Sequence, residues 1–116
     1  SKIRNTTMKT ANIRDYKGGW FVGDFEPSIF QNPFFEVSHQ HHKQGTESEP
    51  HTHMVTTEIT YILKGRATVS GLDMISGDIF VYEKEDIADV KFLEDTDIVI
   101  VRWPSIPSDK YLIDNN

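Results

Sequence analysis

The chain is 116 residues long, carries a formal net charge of −6 and contains no cysteine. A single domain of this length buries roughly two-thirds of its unfolded surface, enough for one core without staples, and disulfides and thiolate metal sites are excluded. The acidic balance argues against nucleic acid as a partner, and no apolar run approaches the roughly 20 residues of a membrane-spanning helix, so a soluble, cytoplasmic protein is expected.

Taken in chain order, residues 1–18 show no periodicity and read as an irregular or edge-strand entry ending at Gly18-Gly19. An apolar run begins at Trp20, Phe21 and Val22, and Pro27 and Pro33 then leave room for no more than one helical turn, near Ser28 to Gln31. From Phe34 the sequence FFEVSHQHHKQG is rich in strand formers and closes on Gly45. Alternation sets Phe35, Val37, His39 and His41 on one face and Phe34, Glu36, Ser38, Gln40 and His42 on the other. His39 and His42 read as surface or rim residues.

The next strand is TEITYILK, with Glu58, Thr60 and Ile62 pointing one way and Ile59, Tyr61 and Leu63 the other. The second set is as apolar as a core. A second sheet or a second copy of the chain is expected to cover it, so a homodimer is the expected assembly. Short strands follow at Arg66 to Ser70, Asp78 to Glu83, Ile87 to Leu93 and Ile98 to Trp103, and Pro104 and Pro107 end the regular structure. The tail SDKYLIDNN is polar except for Tyr111, Leu112 and Ile113, which suit docking on the surface. Short strands without a long helical pattern argue an all-β barrel or sandwich.

All five histidines lie between positions 39 and 53. His51 and His53, two apart, project alike from an extended segment, and neutral imidazoles with a carboxylate suit iron, manganese, nickel, zinc or copper. Glu58 lies an odd number of residues from His53, so the intervening MVTT must contain a turn or bulge to bring it to the same side.

Written as spacing, Gly45, His51, His53, Glu58 and Gly65 form G-x5-H-x-H-x4-E-x6-G, and on these residues the chain resembles the cupin superfamily through the first of its two motifs. The resemblance implies a jelly-roll β-barrel filling residues 1–116 as one domain, with a barrel core of about 19–104 and a divalent metal held by His51, His53 and Glu58. The second motif, G-x5-P-x-G-x2-H-x3-N, counted from Gly77, places Glu83, Glu85, Ala88 and Phe92 at its last four positions, and none of them matches. A fourth ligand is therefore left to His41, Asp89 or water. The resemblance implies a small-molecule ligand and, for an enzyme, oxygen-dependent oxidation or isomerisation of a carbonyl or sugar compound. The other reading is a non-catalytic ligand-binding or sensor module with a degenerate or empty metal site. No catalytic acid or base is identifiable beyond the metal set.

Overall fold

The computed structural model describes residues 8–113, in which two single 3-10 turns, Ile13–Asp15 and Lys17–Gly19, lead into a chain of short strands. β1 (Trp20–Gly23) is followed by β2 (Phe30–Gln31), which runs parallel to it. That strand takes up part of the stretch where the sequence left room for one helical turn. The Ser28 hydroxyl accepts the N–H groups of Gly23 and Phe30, which ties the loop back along β1 instead of letting it coil.

The remaining strands are β3 (Glu36–His42), β4 (His51–Thr52), β5 (Thr57–Lys64), β6 (Arg66–Val69), β7 (Leu72–Ile75) and β8 (Ile79–Tyr82), then β9 (Ile87–Ala88), β10 (Val90–Phe92), β11 (Thr96–Trp103) and β12 (Tyr111–Leu112). They form a six-stranded sheet, β2-β1-β3-β11-β5-β8, and two three-stranded sheets, β10-β6-β7 and β12-β4-β9. The buried core draws on all three: Ile62, Tyr82, Ile98 and Ile100 from the large sheet, Ala67, Val69 and Phe92 from the second, and Ala88 from the third. This is an all-β jelly-roll barrel.

Alternation fixes what faces the interior. Glu58, Thr60 and Ile62 of β5 are buried, as are Ile98 and Ile100 of β11 and Glu36 and Ser38 of β3. Tyr61 and Leu63, on the other side of β5, are each 42% exposed, and no sheet of the described residues covers them. Gly65 makes the β5–β6 turn possible. Its φ is 110°, and a Cβ there would collide with the Thr96 hydroxyl and the Asp95 carbonyl, so both backbone freedom and a close approach demand glycine. Among the described residues no helix is long and apolar enough to cross a membrane.

Candidate functional site

The site grows from the loop between β4 and β5. The chain bends at Met54–Val55, where the sequence requires a turn, and Glu58 thereby reaches the barrel interior. The bend is fixed from the tail. The buried Asp109 carboxylate accepts the N–H groups of Met54, Val55 and Thr56 at 3.0, 3.0 and 2.9 Å. β12 then pairs with β4, Tyr111 opposite Thr52 and Leu112 opposite His51, so the tail docks on the strand that carries the first histidine.

His51 and His53 lie with their rings 5.2 Å apart and nearly perpendicular. The Nδ1 of His51 sits 2.8 Å from the Glu49 carbonyl. A carbonyl oxygen only accepts, so Nδ1 is the donor in that contact. His53 is buried, and its Nε2 has no hydrogen-bond partner. Burial foremost, then the Arg102 charge, holds the His53 pKa below the usual imidazole range despite the opposing effects of Glu58 and Asp109, so the ring is neutral.

Glu58 is engaged elsewhere. Directly opposite it on β11 stands Arg102, whose Nε donates to Glu58 Oε1 at 2.9 Å. Arg102 also faces Glu36 on β3, with Nη1 3.5 Å from Glu36 Oε1, a Coulombic contact that lacks hydrogen-bond geometry. The Trp20 ring lies over the guanidinium, 4.5 Å from centroid to carbon. Glu36, almost wholly buried, has its carboxyl pKa raised by desolvation against the lowering effect of Arg102. Three neighbouring strands thus carry an interior row, Glu36, Arg102, Glu58, that strand alternation alone does not reveal.

Beside this row the barrel holds a cavity of about 250 Å³. Ile62, Phe80, Phe92 and Ile100 give it apolar walls, and His51, Glu58, Arg102 and Lys110 place charged or titratable groups along it. His42 lines it as well, stacked on Phe92 with centroids 4.2 Å apart and joined to Gln40 through Nε2 at 2.8 Å. The rim reading of His42 is therefore corrected: it belongs to the inward set with Glu36, Ser38 and Gln40.

His41 is corrected in the opposite sense. It belongs to the outer face of β3, more than half exposed, with Nδ1 2.6 Å from Asp97 Oδ1, and it does not face the cavity. Asp89 also points elsewhere, since Ala88 and Val90 on either side of it line the cavity. The register instead sets Ala88 opposite His51 across β4 and β9. The position where the second-motif count expects a histidine, Ala88, is thus the one that pairs with His51.

Tested against a metal, the donors fit in type, and the Nε2 of His53 has no other partner. The carboxylate is held by Arg102, and among the described residues no three histidine, aspartate or glutamate side chains converge closely enough to hold an ion as they stand.

No family model and no curated protein matches the sequence. Solved structures do. An uncharacterised conserved protein with a double-stranded β-helix domain from Klebsiella pneumoniae aligns over 99% of this chain and 100% of its own, with TM-score 0.68 and 17% identity. KdgF from Halomonas sp. aligns over 80% of this chain and 92% of its own, with TM-score 0.62 and 21% identity. The DMSP lyase DddQ from Ruegeria pomeroyi gives TM-score 0.64 and 16% identity over 80% of this chain, which spans 49% of the lyase structure. The chain has the cupin fold.

Proposed function

We propose that this cupin-fold chain binds a small organic molecule in its barrel cavity and a divalent transition metal beside it, held by His51, His53 and Glu58. The observation that carries the reading is the buried, partnerless Nε2 of His53 next to a His51 whose Nδ1 is already fixed by a backbone carbonyl. A buried nitrogen without a partner costs about 1–3 kcal/mol, and a carbonyl on the far nitrogen of a ligating histidine is the usual way its ring is oriented. Imidazole and carboxylate donors favour iron, manganese, nickel or zinc.

Bound there, such an ion supplies Lewis-acid or redox chemistry at the cavity wall. The residues of the chain then divide the remaining work. Phe80, Phe92 and Ile100 exclude water from the ligand's apolar part, and Arg102 and Lys110 orient its polar part. Oxidation or isomerisation of a small molecule fits this wall, and a lyase is among the structures of similar fold. The protein works as a homodimer in the cytoplasm in this reading.

A second reading has its own support. Ala88 in place of a facing histidine and Arg102 on Glu58 suit a non-catalytic ligand-binding or sensor module in which arginine supplies the interior cation. Metal content decides between them. Protein purified and incubated with iron, manganese, nickel and zinc is expected to retain about one equivalent of one metal per chain, and to lose it in His51→Ala and His53→Ala. Retention of none, by a folded protein, overturns the metal reading and leaves the binding module.

A further inference from the structure

A second cavity, a cleft of about 390 Å³, shares Trp20 and Arg102 with the barrel cavity but is not lined by His51 or His53. Trp20, Glu36 and Arg102 form its floor, and Phe25, Pro27 and Pro107 form its walls.

The walls are held from the far end of the chain. The buried Ser105 hydroxyl accepts the Asp24 N–H at 2.7 Å and donates to Glu36 Oε2 at 3.4 Å, while the Ser105 N–H donates to the Pro33 carbonyl at 2.9 Å. Both ends of the loop that carries Phe25 and Pro27 are thereby pinned. Gly23 completes the fit, since a Cβ there would collide with the Phe25 ring and with Glu36 Cβ, and only glycine lets the ring close on the Glu36 side chain. The cleft is built before any ligand arrives.

Its floor has an acceptor and donors to spare. Glu36 is 2% exposed, and its Oε1 has no hydrogen-bond partner, a deficit that marks a missing donor. Among the described residues Arg102 engages only its Nε, on Glu58, and its Nη1 lies 3.5 Å from Glu36 Oε1. Charge on the lining is balanced, Glu36 and Glu26 against Arg102 and Lys17. A carboxylate would meet the two acids, and an amine would meet the two bases. A neutral group with an N–H for Oε1 and an oxygen for the guanidinium, side by side, meets neither objection. A ring amide carries both on one edge, and its body fits between the flat faces of Phe25, Pro27 and Pro107. The last torsion of a glutamate is soft, so Oε1, shielded from water in the empty cleft, turns to a donor seated on the floor.

We propose that this cleft is a second binding site, for a small neutral ring amide, a lactam or an imide, whose N–H donates to Glu36 and whose carbonyl accepts from Arg102. The site needs no metal, and its failure would leave the reading of the barrel cavity untouched.

The test titrates the native chain with δ-valerolactam, followed residue by residue by nuclear magnetic resonance. Saturable shifts are expected at Trp20, Phe25 and the Arg102 Nε–H, with Phe80 and Phe92 of the barrel cavity unmoved. The N-methyl lactam, which keeps the carbonyl and loses the N–H, is expected to bind about tenfold more weakly, the usual worth of a hydrogen bond to a charged group. Glu36→Met is expected to abolish that preference. Where Glu36→Met fails to fold, because Ser105 loses its acceptor, Phe25→Ala takes its place, lies outside the buried core and is expected to weaken lactam binding about tenfold.

Absence of a saturable shift in the native chain overturns the proposal. Shifts centred on Phe80 and Phe92 do the same, since the lactam would then sit in the barrel cavity. So do a preference for the N–H lactam that survives Glu36→Met and an affinity that Phe25→Ala leaves unchanged.

Discussion

Asp109 shows how a single carboxylate sets the geometry of the site without touching a ligand. Burial raises its pKa, but the backbone N–H groups of Thr56, Val55 and Met54 lower it by more, so the carboxyl titrates below the ordinary 3.8. A folded-state pKa below the unfolded one means stability that is fully present above about pH 4 and lost as the pH falls through the folded value. Asp109→Asn, which keeps one acceptor oxygen and loses the charge, is expected to cost about 2 kcal/mol at pH 7. Urea midpoints measured from pH 7 down to pH 3 should show the gap between the two proteins closing at the acid end, and a constant gap would mean that the carboxylate charge is not what holds the loop.

The sequence marks His51, His53 and Glu58 because they lie within eight residues of one another at fixed intervals. Arg102 and Asp109 reach the site across more than 40 residues of chain, and no local pattern carries that information. His41 and His42 were exchangeable for the same kind of reason. Alternation puts them on opposite faces, but only the pairing of β3 with β11 decides which face is inward.

At the scale of elements, the second half of the site keeps its path without its donors. Glu85 has φ of 73° at the position where the motif asks for glycine, and its N–H donates to the His53 carbonyl at 2.6 Å, so the turn survives a residue that resists it. The strand after it splits into β9 and β10 at Asp89, which a continuous run from Ile87 to Leu93 does not forecast. Ala88 ends β9 opposite His51, buried and lining the cavity. Ala88→His therefore places a third imidazole across from the first two, with open cavity to receive the ring. Zinc affinity by calorimetry should rise about tenfold or more as the donor set approaches a complete tetrahedral one. An unchanged affinity would mean that the β4–β9 pair does not face the metal position.

Across the whole molecule, the most unusual surface is the outer side of the large sheet. Ile59 pairs with Val81 and Tyr61 with Ile79 across β5 and β8, and with Leu63 they make an uncharged strip whose members at Ile79 and Val81 are 62% and 50% exposed. An antiparallel sheet normally turns a polar face to water, and the alternation in TEITYILK already signals that this one does not. What alternation cannot supply is the cover, because the described chain closes its barrel with the opposite face.

A second copy is the occupant we propose for it. The strip has no charge for a polar partner to read, and β8 beside it is the last strand of the sheet, so the same strip related by a two-fold axis meets an equally uncharged surface. A stable dimer buries roughly 800 Å² from each partner, which an extended face of β5, β8 and the adjoining Val99 and Val101 of β11 is placed to supply. Ile79→Lys with Val81→Lys leaves the interior untouched, since both side chains point outward, yet forces four unpaired charges into a two-fold contact. Light scattering should report a dimer for the native chain and a monomer for the double variant at equal thermal stability. A native monomer would leave the strip to another partner, and a dimer indifferent to the lysines would move the interface to a different face.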